Sequence, residues 1–171
     1  MWTADHTLVN GKESFAMPVS PENQLRDLRI VLPQPPKPLG AYVEAVRVGR
    51  LLYLSGALPV EQGAASFIGR IGDDLSIDDG RAAARLATMN AIALARDHLT
   101  SLDKVSGVVR LAVSIAAIQD FRDHARVADG ASELLAAIFS PQRMPTRMVY
   151  GVFTLPLGVC AVVELVLAVE D

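Results

Sequence analysis

Arg147 and Glu164 stand out in a stretch, residues 145–164, that is otherwise almost entirely apolar. A guanidinium can grip a carboxylate through two parallel hydrogen bonds, which an ammonium cannot do. Arg147 is the only strong anion-binding group there, so the chemistry it suggests is recognition of a small carboxylate. The same arginine could equally pair with Glu164 as a structural ion pair, because a buried arginine needs a partner in either case. Other reactive types carry less. Ser55 has no histidine or carboxylate nearby in sequence, so a catalytic triad is not expected. Cys160 has no neighbouring cation to lower its pKa and reads as a small buried hydrophobe. His6, His98 and His124 lack metal-ligand spacing, and no metal site is expected. Asp73-Asp74 and Asp78-Asp79 suit the start of a helix. Gly63, Gly69 and Gly72 are not followed by Gly-Lys-Ser/Thr, so they do not form a phosphate loop.

The elements that must position Arg147 can be placed from patterning. Residues 1–18 are polar and aperiodic and read as an N-terminal extension, leaving 19–171 as one domain. Ser20-Pro21 reads as a helix cap, with Leu25, Leu28 and Leu32 at helical spacing behind it. The proline-rich stretch 32–38 should be extended. Residues 42–48 and 51–54 flank Gly49-Arg50 as a β-hairpin, and a third strand follows a kink at Ser55-Gly56, over 57–60. A glycine-rich loop covers 61–76. A long alanine-rich helix is expected over 78–99, a buried strand over 105–116 and a second long helix over 120–139. Strands at 146–153 and 159–169 should close the domain as a hairpin. The order β-β-β-α-β-α-β-β implies an α+β fold, a mixed sheet with two helices packed on one face. Weak alternation over 108–115 and 159–169 implies that both sheet faces are covered, as a homo-oligomer packed sheet against sheet would achieve.

Composition narrows the function classes. The 171 residues suffice for one substantial core. Hydrophobic residues are 51% and charged residues 20% of the chain, a balance that agrees with burial between subunits. The net charge of −3, with no basic cluster, disfavours nucleic-acid binding. A single cysteine excludes an internal disulfide. No apolar run is long enough for a membrane span and no signal core opens the chain, so a soluble cytoplasmic protein is expected.

Four segments in order resemble the RidA family, also called YjgF and, in older usage, endoribonuclease L-PSP or translation initiation inhibitor. They are Leu39-Gly-Ala-Tyr42 before an alternating strand, Leu52 to Val60 containing Ser55-Gly56 and Pro59-Val60, Asp129-Gly-Ala-Ser132, and Pro145-Thr-Arg147 followed by Leu155-Pro156 and the last strand. The helix at 20–30 and the loop at Leu157-Gly158 look more like a divergent side branch. The resemblance implies a chorismate-mutase-like fold and a homotrimer whose sheets form a central barrel, with ligand clefts between subunits. It also implies hydrolysis of enamines and imines, such as 2-aminoacrylate and 2-iminopropanoate, to keto acids and ammonia, with no cofactor.

Such a site must hold a carboxylate, polarise a C=N nitrogen and aim a water at the carbon. By the resemblance Arg147 holds the carboxylate, backbone near Ser55, Gly56 and Val149 lines the site, and Tyr42 supplies a phenol near its mouth. This chain departs from the family at two places. Val162 stands where the family's water-orienting glutamate is usual, and Asp129 stands where asparagine is usual. Glu164 is kept, but two residues along a strand is a displacement of roughly 6.5–7 Å. The expected protein therefore keeps the cleft while its deaminase activity is weak, altered or lost. A non-catalytic ligand-binding trimer is the alternative, and a ribonuclease is the least favoured reading.

Overall fold

The computed structural model describes residues 20–35, 38 and 40–170. The N-terminal extension and Leu39 of the first family-like segment lie outside the described residues. Helix α1 spans Pro21–Asp27, capped by the Ser20 hydroxyl, which accepts from the Asn23 amide at 3.1 Å. It is shorter than the leucine spacing suggests. Arg29, at φ 54, turns the chain out of the helix, and Leu32 lies beyond it, outside regular secondary structure. Asp103 accepts from the Ser20 hydroxyl (2.7 Å) and the Glu22 amide (3.1 Å), and Glu22 pairs with Arg96 at 2.9 Å. These contacts tie α1 to the far end of the next long helix.

That helix, α2, spans Ile77–Leu99. Ser76 and Asp79 form a reciprocal capping box at its start, so Asp79 serves the role expected for the acidic run. Asp74 does something else: its carboxylate accepts from the Arg70 amide and closes a turn before the helix. Helix α3 spans His124–Phe139. The two helices cross closely because Gly130 has no side chain. A Cβ there would stand 2.1 Å from the carbonyl oxygen of Arg81 on α2.

Among the described residues there are seven strands, β1 (Ala45–Val48), β2 (Leu51–Leu54), β3 (Val60–Glu61), β4 (Ala64–Ala65), β5 (Val105–Ala116), β6 (Thr146–Val152) and β7 (Ala161–Val169). The main sheet has the order β1-β2-β7-β5-β6, while β3 and β4 form a separate two-stranded ribbon. The expected third strand therefore does not join the main sheet. Only Ala57, bridged to Val163, touches it before the chain leaves for the ribbon.

The closing hairpin is corrected more substantially. Strands β6 and β7 are not neighbours; β5 lies between them, parallel to β6 and antiparallel to β7. The physical reason is the crossover β5–α3–β6, which returns β6 parallel to β5. The segment between β6 and β7 then passes over the end of β5. There the Cys160 carbonyl accepts from Ala116, and the Cys160 amide donates to Phe67. Leu157 (φ 56) and Gly158 (φ 71) make the left-handed turn this requires. Strands β5 and β7, the two with weak alternation, thus have strand neighbours on both edges, while only one of their faces is covered by the helices.

One sheet face carries α2 and α3 over a core that includes Leu52, Leu111, Ile115, Leu165 and Leu167. The strand register defines the other, open face. Across it run the rows Val46–Tyr53–Val166–Arg110–Thr146, Glu164–Ala112–Met148 and Val162–Ser114–Tyr150.

Candidate functional site

Strand alternation and α3 fix the surroundings of Arg147. Its neighbours in register are Leu111 and Leu165, both buried under the helices, so Arg147 points to the helix-covered side of the edge strand β6. There Nη1 donates to Asp129 Oδ1 at 2.7 Å and to Ser132 Oγ at 3.0 Å. Asp129 and Ser132 lie one helical turn apart on α3, so both reach the same guanidinium. Side-chain exposure is 30% for Arg147 and 41% for Asp129. Among the described residues no partner meets Nη2 or Nε of Arg147. One nitrogen is anchored, and the adjoining edge of the guanidinium remains able to donate to a ligand. Val149, two residues along β6, shares this side of the sheet.

Glu164 is on the other side. Its register partner is Ala112, in line with Met148, and its carboxylate lies 3.5 Å from Arg110 on the open face. The ion pair considered between Arg147 and Glu164 does not form. The sequence treats the two strands as adjacent, and an odd offset in register puts the side chains on opposite faces. Val162 shares the open face with Glu164 but also abuts Gly56: a Cβ at Gly56 would lie 3.0 Å from Val162 Cγ1. The close approach depends on the absence of a side chain at Gly56.

Tyr42, Ser55 and Gly56 line a cavity of about 840 Å³ between the segment after α1, the end of β2, the β3–β4 ribbon and α2. Leu58, Leu86 and Met89 give it apolar walls, and its charged members are Glu44 and Glu61. Asn90, almost fully buried on α2, shapes the wall by donating to the carbonyls of Leu58 (2.8 Å) and Val60 (2.9 Å). The Ser55 hydroxyl is committed to the Val43 carbonyl at 2.7 Å, and its amide to the Glu44 carbonyl at 2.9 Å. Ser55 thus fixes backbone instead of presenting a nucleophile. Arg147, Asp129, Val149, Val162 and Glu164 are not among the cavity-lining residues.

Within one chain the candidate residues fall into three places: the cavity, the α3–β6 edge, and the open sheet face. Sequence reasoning missed Ser132, whose signal was its spacing of three from Asp129 in a helix, and Arg110, which pairs with Glu164. Among the described residues no three His, Cys, Asp or Glu side chains converge as a metal would need. No helix among them is long and apolar enough to cross a membrane.

Comparisons with known proteins identify the family and the fold. The family profile described as "YjgF/chorismate_mutase-like, putative endoribonuclease" matches residues 22–169. Protein TCP17 of Trypanosoma cruzi is 33% identical over 141 residues, covering 82% of this chain and 88% of that protein. A crystal structure described as a "putative endoribonuclease" from Shewanella oneidensis superposes with a TM-score of 0.84 at 33% identity, covering 88% of this chain and 99% of the other. RidA from an Antarctic Psychrobacter superposes with a TM-score of 0.55 at 25% identity, covering 80% of this chain and 94% of the other.

Proposed function

This chain belongs to the YjgF/RidA family, and from that premise we propose that it forms a homotrimer binding small carboxylate-bearing molecules in clefts between subunits. In this reading Arg147 anchors the carboxylate, and hydrolysis of enamines or imines to keto acids and ammonia is weak or lost. The observation that carries the reading is the state of Arg147. Asp129 and Ser132 hold Nη1, while the edge formed by Nη2 and Nε has no partner among the described residues. That edge can meet both oxygens of a carboxylate.

Sheet order supports a cleft between subunits. Arg147 lies on the β6 edge, whereas Tyr42, Ser55 and Gly56 lie by the β1–β2 side, at the opposite end of β1-β2-β7-β5-β6. A ring of subunits meeting edge to edge would bring one subunit's Arg147 toward its neighbour's cavity. The open sheet face supplies apolar surface for such a ring, with Val46, Tyr53, Met148 and Tyr150 all more than two-fifths exposed.

The weak turnover follows from the residues near Gly56. Val162 cannot orient a water, and a missing general base lowers rate by about 10²–10⁴-fold. Glu164, two residues away, is engaged with Arg110. Placement of the carboxylate and of the C=N carbon by the cleft would remain.

The test is keto-acid release from imines generated in place by an amino-acid oxidase, with wild type, Arg147→Ala, Val162→Glu and the double variant in parallel. The expected outcome is little release by wild type and a gain in Val162→Glu that Arg147→Ala abolishes in the double variant. Fast wild-type release that depends on Arg147 would instead establish a working deaminase with a rebuilt water site.

A further inference from the structure

His124, the first residue of α3, is unused by the reading above, and it lies on the same side of the sheet as Arg147. Gly151 is the second residue after Val149 on that side of β6, and its missing side chain is replaced in space by the His124 ring. A Cβ at Gly151 would stand 2.5 Å from Nε2, 3.3 Å from Cδ2 and 3.4 Å from Cε1 of His124. Phe121 holds the ring from behind, edge to face, with centroids 4.9 Å apart and an angle of 74°. Gly151 is exposed and β6 is the edge strand, so Nε2 sits at an open border, not in the core.

The spacing of the two groups is informative. The residues that anchor Arg147, Asp129 and Ser132, follow His124 by five and eight positions on α3. At 1.5 Å per residue they lie about 7.5–12 Å further along the helix axis. Two hydrogen bonds of about 2.8 Å, joined by three or four covalent bonds of about 1.5 Å, span a similar distance. A carboxylate on Arg147 would therefore place a substituent on its α or β carbon within reach of the imidazole. An imidazole can donate to an oxygen or accept from an amino or imino N–H.

We propose that His124 is a specificity-determining residue of the Arg147 cleft, which selects small carboxylic acids bearing an amino, imino, oxo or hydroxyl group one or two carbons from the carboxylate. This rests on the assignment of Arg147 as the carboxylate anchor. Val162 and Glu164 cannot serve this role within the same chain, because they face the other side of the sheet. Gly151 is the permissive element, since any larger residue there would displace the ring.

The experiment is calorimetric titration of the full-length protein with 2-oxobutanoate and 2-hydroxybutanoate against unsubstituted butanoate. Wild type, His124→Ala, Gly151→Ala and Arg147→Ala are compared, with the His124 ring nitrogens followed by NMR in wild type. One hydrogen bond predicts a preference for the substituted acids of roughly 2–12-fold. His124→Ala and Gly151→Ala should both reduce that preference toward one, with butanoate affinity little changed. The His124 Nε2 resonance should shift on binding of the substituted acids only. Binding that needs Arg147 but keeps its preference in His124→Ala, with an unmoved ring, overturns the proposal and leaves the carboxylate anchor intact. Binding that is absent, or indifferent to Arg147→Ala, overturns both.

Discussion

In the proposed site, Asp129 would set how strongly Arg147 holds an anion. Its carboxylate lies 2.7 Å from the guanidinium, and both side chains are partly exposed. A pair of that kind contributes about 0.2–1 kcal/mol, so it competes with a ligand without excluding one. Asp129→Asn would keep an acceptor for Nη1 and remove the charge. Affinity for small carboxylates should then rise about 1.5–5-fold by calorimetry; an unchanged affinity would show that Asp129 only orients the arginine. Cys160 makes a second residue-level prediction. Burial pushes its thiol pKa up from 9.0 to about 11, because the thiolate would be stranded in an apolar core. Burial favours the neutral thiol in the folded state. The contribution is present below the ordinary value of 9.0 and is lost as pH rises from there through about 11. Denaturant titrations should show stability falling over that window, with a smaller fall in Cys160→Ala. The native thiol should also resist alkylation at pH 8.

At the scale of elements, two close approaches hold the site together. Gly130 lets α3 lie against the backbone of α2 at Arg81, and α3 carries both Asp129 and His124. Gly130→Ala forces a methyl against a carbonyl that cannot rotate away. It should destabilise the protein by about 1–3 kcal/mol or more, measured by denaturant unfolding, and should weaken carboxylate binding even where the fold survives. Asn90 plays the corresponding part at the cavity, with one amide nitrogen bonded to two carbonyls of the segment leading into β3. The existence of α2, β5 and α3 is legible in the sequence because long periodic or β-branched runs state their own type. The neighbour of β6 is not legible. A Leu-Pro-Leu-Gly turn between two apolar strands looks like a hairpin, and only the parallel crossover through α3 shows that β5 intervenes.

At the scale of the whole molecule, the open sheet face is the main unpaired feature. Val46, Tyr53, Met148 and Tyr150 are exposed there, with Arg110 and Glu164 among them. Burying that face against other copies would cover the apolar residues and desolvate the ion pair. Tyr150→Glu would place an added carboxylate in register with Ser114 and Val162. If the proposed trimer packs through this face, light scattering should show Tyr150→Glu as smaller species than wild type, since an unpaired buried charge is costly. A mass unchanged from wild type would mean that this face is not the interface.

By itself the sequence determined the types of the long elements, the family and the presence of a lone arginine in an apolar closing segment. Each of these is written in local periodicity or in short ordered motifs. Tertiary structure decided which groups meet. Whether Arg147 pairs with Asp129 or Glu164 depends on the strand lying between β6 and β7, and a change of one residue in register moves a side chain through the sheet. The approach of His124 to Gly151 brings together residues far apart in sequence. It exists only because the crossover lays α3 back along β6, where a glycine leaves room for the ring.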